Sequence, residues 1–76
     1  MRINVFNEVI QAVKHAEDKH PFFVENLPQG VSVATEELGE MATAINDGDL
    51  EQARAEALDT IAVLVRFIYL LDDLRD

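Results

Sequence analysis

An all-α fold is predicted by three observations. Apolar residues recur at helical spacing in three segments, and the breaks between them fall at His20-Pro21 and at Asn46-Asp47-Gly48. Acidic pairs also lie at equal distances on either side of Gly48, which brings them together only if Gly48 turns one helix back on the next. The expected architecture is a three-helix chain forming a single domain over residues 1–76, whose helical hairpin pairs with another subunit into a four-helix bundle.

The first helix is expected from about Ile3 to Lys19. Ile3, Phe6, Val9, Ile10, Val13 and Ala16 form its apolar stripe, with Asn7, Glu8, Lys14 and Asp18 elsewhere around it. His20-Pro21 ends it, because the residue before proline is pushed out of the helical region and proline has no N–H to donate. A connector is expected through Gly30, its two prolines and glycine arguing against a regular element. Phe22, Phe23 and Leu27 make it too apolar for a free linker, so it is expected to pack on the helices or cover a pocket.

The second helix is expected from Val31 or Ser32 to Asn46, with Val31, Ala34, Leu38, Met41, Ala42 and Ile45 on its buried stripe. Gly48 supplies the left-handed residue of a helix stop. Asp49 is the expected N-cap of the third helix, and Gln52 completes a capping-box pattern. That helix should reach about Asp73. From Ile61 onward it is apolar on nearly every side, which calls for neighbours on more than one face and hence for association along it.

Seventy-six residues lie near the lower limit for a single core that folds unaided. Cysteine is absent, which removes disulfides and thiolate zinc sites and leaves association as the expected supplement. The absence of cysteine, and an N-terminus without the apolar core of a signal peptide, give a cytoplasmic expectation. The longest apolar stretch, Ile61 to Leu71 with Arg66 inside it, falls far short of the roughly 20 residues that cross a bilayer, so no membrane partner is expected. A net charge of -9 repels a polynucleotide backbone. A small polyphosphate differs, since it can arrive with divalent cations that carboxylates attract.

The candidate site consists of Glu37 and Glu40 before Gly48 and Glu56 and Asp59 after it. In an antiparallel hairpin centred on Gly48, positions whose numbers sum to 96 lie side by side, and both 40 with 56 and 37 with 59 do. Leu38 with Leu58 and Ala34 with Ala62 share that register. Residues three apart share a helix face, so each helix offers two carboxylates at one level. Unpaired like charges in one place raise each other's pKa and cost stability, so such a group is expected to hold a cation. Carboxylate oxygens without histidine or thiolate suit Mg²⁺, or Mn²⁺. The Glu-x-x-His elements of a di-iron bundle are absent, and His15 and His20 read as surface or loop residues. A solvated acidic face is the competing reading.

Glu36-Glu37-Leu38-Gly39-Glu40, followed after the hairpin by Glu56-Ala57-Leu58-Asp59, resembles the MazG-like all-α nucleoside triphosphate pyrophosphohydrolases over about residues 31–71. The resemblance implies Mg²⁺-dependent hydrolysis of a nucleoside triphosphate to the monophosphate and pyrophosphate, with Glu37, Glu40, Glu56 and Asp59 as metal ligands in a homo-oligomer, dimer or tetramer. Glu36 is then the added catalytic carboxylate, binding a second ion or orienting the attacking water. Members are often longer, with a further helix or a basic tail. Arg66 lies on roughly the face of Glu56 and Asp59, where it either meets a phosphate or pairs with an acidic neighbour across a subunit contact. Lys14 and Lys19 are further phosphate candidates, and Phe22, Phe23 and Asn26 either contact a base or pack. Phosphoribosyl-ATP pyrophosphohydrolase is the enzymatic rival, and a non-enzymatic helical oligomerisation module is the rival of another class.

Overall fold

A computed structural model describes residues 4–75 and shows three helices: α1 (Val5–Lys19), α2 (Leu27–Asn46) and α3 (Leu50–Arg75). No strand occurs among the described residues. Helix α3 is the spine, packing against both α1 and α2, which do not pack against each other. The arrangement is therefore open. Its extents are 41 × 27 × 20 Å, and its radius of gyration of 13.3 Å exceeds the ~11 Å of a compact chain of this length.

Helix α1 begins two residues later than the apolar pattern suggested, because the Asn4 side chain accepts hydrogen bonds from the N–H groups of Phe6 and Asn7 at 3.0 and 3.3 Å. This is an N-cap, and it satisfies donors that a helix start leaves free. Ile3, expected on the stripe, lies outside the described residues. Phe6, also expected to be buried, is 79% exposed, since α1 packs on α3 alone; the Glu8–Arg54 pair, 2.6 and 2.9 Å between polar atoms, ties the N-terminal half of α1 to α3.

Helix α2 starts at Leu27, four residues before its expected boundary. Asn26 caps it by accepting from the Gln29 N–H at 2.8 Å, and the Gln29 side chain accepts in return from the Glu25 N–H at 2.7 Å. Pro28 stands in the first turn, where a missing N–H costs nothing. Gly30 is buried against α3, and a Cβ there would overlap the Phe67 ring. The shorter connector does pack: Val24 is buried, and Phe23 meets Phe67 edge-on with ring centroids 6.0 Å apart. Phe22 remains 70% exposed.

The hairpin turn follows the sequence expectation. Gly48 has φ of 75°, its N–H donates to the Ile45 carbonyl, and the Asp49 N–H reaches back to Ala44 at 2.9 Å. These are the two bonds of a Schellman stop. Asp49 then caps α3 by accepting from the Gln52 N–H at 3.0 Å. The capping box stays half made, because the Gln52 side chain turns instead to Glu56.

Small residues line the α2–α3 contact. Ala44 is buried there, as is Glu56; Ala53 and Ala62 of α3 are also buried, Ala62 on the side towards α1, and among the described residues no large side chain is fully enclosed. Leu38, Ile45, Leu64 and Ile68, expected on buried stripes, are each about half exposed (57, 49, 47 and 56%). One chain thus contains a close helix–helix seam but little core of its own.

Candidate metal centre

The antiparallel register brings the expected carboxylates together. One oxygen each of Glu37 from α2 and of Glu56 and Asp59 from α3 lie within 4.8 Å of one another. Glu37 is half-buried, Glu56 buried and Asp59 exposed, so the cluster opens to solvent from a closed floor. Glu40 stands beside it, close enough to share a proton with Glu56, and Glu36 lies near Glu40. All five acidic residues singled out by the sequence pattern therefore lie near one level along the α2–α3 hairpin.

The electrostatics are those of crowded like charges. Glu37 is pushed up to about 7, first by partial burial and then by the charges of Glu40, Asp59 and Glu56. Glu40 is raised by proximity to the Glu56 carboxyl, which favours a shared proton, and by that group's charge. Asp59 is raised by desolvation and by Glu56, with His15 and Lys19 opposing the rise. At Glu56, Oε1 accepts from the Gln52 side-chain amide at 2.7 Å, whereas Oε2 is enclosed and has no hydrogen-bond partner among the described residues. A buried carboxylate oxygen without a donor is costly, and the groups facing it are themselves carboxyls. It calls for a proton or a cation.

A cavity of about 430 Å³ adjoins the cluster, between α1, the connector and the hairpin. Glu37 and Asp59 form its acidic wall, His15 and Lys19 reach it from α1, and Phe22 and Phe23 border it from the connector. Its size lies within the range of small-molecule pockets. Helix α1, from which the sequence offered Lys14 and Lys19 as phosphate candidates, thus sets Lys19 and His15 facing the carboxylates. The face of α1 that meets α3 sets this, and no motif announces it.

The remaining candidates are distributed unevenly. Arg66 borders the cavity, but its guanidinium donates to the Ala16 and His20 carbonyls at 3.3 and 2.6 Å and lies 5.1 Å from the centre of the Phe23 ring. It closes the C-terminus of α1, where orphan carbonyls favour a cation. Among the described residues it pairs with no acidic side chain. Lys14 is exposed on α1 and does not border the cavity, whereas Lys19 does. Asn26 is the cap of α2. Gln52, which sequence reasoning reserved for the capping box, is the side chain that donates to Glu56 among the described residues.

Fold and site together define an all-α protein with a carboxylate cluster across a helical hairpin. No family model, curated protein or solved structure matches the chain.

Proposed function

We propose that this chain is a Mg²⁺-dependent nucleotide pyrophosphohydrolase, cleaving a nucleoside triphosphate to the monophosphate and pyrophosphate as a cytoplasmic homo-oligomer that clears or controls a nucleotide pool. The observation that carries the reading is the convergence of Glu37, Glu56 and Asp59 within 4.8 Å. The residues fit the ion on two grounds. Their donors are hard oxygens alone, and the enclosed Glu56 Oε2 has no other partner. Mn²⁺ suits the same donor set.

Glu37, Glu56 and Asp59 would hold the ion, with Glu40 as the fourth carboxylate. Bound Mg²⁺ supplies neutralisation of phosphate charge and a more acidic water. The rest falls to the chain. Gln52 fixes the Glu56 carboxylate, Lys19 gives the cavity the positive charge that a polyphosphate needs, and the His15 imidazole adds an N–H donor beside it. Arg66 holds the end of α1 against Phe23 and so keeps the cavity wall in place. We assign to Glu36, exposed next to Glu40, the proton of the attacking water. The exposed apolar residues of α2 and α3 support association of hairpins into a four-helix bundle, as a dimer or tetramer.

The test is pyrophosphate release from a panel of nucleoside triphosphates and phosphoribosyl-ATP, with Mg²⁺ or Mn²⁺. Wild type is expected to release pyrophosphate, and Glu40→Gln combined with Asp59→Asn to lose that activity with its oligomer intact. Release from phosphoribosyl-ATP alone would select the rival substrate. The exposed apolar faces also favour a second reading, a helical oligomerisation module. Absence of release from every substrate with either ion would establish that reading in place of the enzyme.

A further inference from the structure

Two rows of apolar residues on the α2–α3 hairpin share one uncovered face. The row of α2 that meets α3 includes Gly30, Glu37 and Ala44, and the reciprocal row of α3 includes Glu56 and Phe67. One residue further along each row stand Val31, Leu38 and Ile45 on α2, and Ala57 and Ile68 on α3. Completed by Thr35 and Ala42, and by Ile61, Leu64 and Leu71, both rows follow the alternating four-and-three spacing of a helix-pairing seam. A step of one residue turns each right-handed helix by about 100°. In antiparallel helices those turns lead to the same side of the hairpin. The opposite side carries Asp59, Ala62 and Arg66, together with α1.

We infer that a second copy of this chain covers this face, hairpin against hairpin, and that the carboxylate cluster of each copy faces away from the contact. The inference specifies the association put forward above and does not depend on the reaction. None of the ten seam positions is charged in a chain of net charge -9, so two copies meet there without opposing like charges at the centre. Val31, Leu38, Ile45, Ile61, Leu64, Ile68 and Leu71 are 39 to 58% exposed. They offer on the order of 600 Å² of exposed surface per copy, and the remaining seam and flanking residues bring this toward the ~800 Å² a side of a stable interface. A patch of this size is seldom left bare on a monomer. A face that is uncharged throughout and self-matched suits a two-fold contact, whereas a lipid surface of anionic headgroups is repelled by the acidic chain.

Sedimentation equilibrium tests the inference. Wild type at micromolar concentration is expected at twice the chain mass. Leu38→Glu with Ile68→Glu should raise the dimer dissociation constant on the order of 100-fold, because each dimer would bury four new charges. Phe6→Glu, on α1 and away from the seam, should leave it unchanged. Since charges on this face also threaten folding, Leu38→Ala with Ile68→Ala is measured alongside, with a rise of at least about tenfold expected and the helical circular dichroism retained. A monomeric wild type, an unchanged constant in the alanine pair, or dissociation by Phe6→Glu would overturn the assignment. The readout is mass, so a dimer without pyrophosphate release leaves this interface standing, and an active monomer removes it alone.

Discussion

Glu56 sits where packing and charge conflict most directly. It is buried between helices, one oxygen is held by Gln52, and the other has no partner among the described residues. Replacing it with Gln removes a charge from the carboxylate cluster and adds an N–H₂ that can donate to Glu37 or Glu40. Without divalent cations near neutral pH, Glu56→Gln should be more stable than wild type by about 1 kcal/mol, which for a domain of this size raises the melting temperature by about 4–8 °C. Mg²⁺ should no longer raise it further. Thermal melts in EDTA and in excess Mg²⁺ check both parts, and a lower EDTA midpoint would mean that the native state needs the Glu56 charge. At this scale the ligand set was legible, because the register about Gly48 is arithmetic on the sequence. Gln52 and His15 were not, and Lys19 was named only as one of two phosphate candidates, since their relation to the cluster depends on side-chain direction and on how α1 is set against α3.

Helix ends carry the information at the next scale. The turn at Gly48 was readable because its chemistry is local: a positive φ that glycine tolerates, then an aspartate cap. Gly48→Ala should cost about 1–2 kcal/mol through the left-handed backbone, and Asp49→Ala about 1 kcal/mol through the lost cap. Urea midpoints at unchanged slope would report both, and a neutral Gly48→Ala would mean that the turn has relaxed. The start of α2 was misplaced for an equally local reason. Asn26-Leu27-Pro28-Gln29 is a capping pattern with proline in the first turn, yet proline and glycine so close together read as a loop. Gly30 is there for its missing Cβ. Gly30→Ala gains helix propensity but meets the Phe67 ring, and overpacking of about 1–3 kcal/mol should outweigh the gain of about 1 kcal/mol. A urea midpoint at or above that of wild type would show that Phe67 can swing aside.

Across the whole molecule, the acidic cluster sets a pH dependence opposite to that of salt-bridged carboxylates. Glu37 binds its proton with a pKa of about 7 in the folded chain against 4.5 for the free side chain, and Glu40 and Asp59 shift the same way. The folded state therefore holds more protons than the unfolded state between about pH 4.5 and 7, and this contribution to stability is full below that window and lost as pH rises through it. Glu8, lowered by Arg54, acts in the other direction, but that pair is exposed and its influence is screened. The facing groups are Glu40 on α2, Glu56 and Asp59 on α3, and His15 and Lys19 on α1. In EDTA the melting temperature should fall from pH 5 to pH 7.5. Mg²⁺ should restore it at pH 7.5 and do little at pH 5, because the ion must displace protons from the same oxygens. The general repulsion within a chain of net charge -9 also grows with pH, so Glu37→Gln is the control. If the cluster governs the effect, the variant flattens both the pH slope and the Mg²⁺ response. A slope that survives Glu37→Gln unchanged would assign the dependence to overall charge, and a Mg²⁺ response equal at both pH values would remove these carboxylates as the ion's ligands.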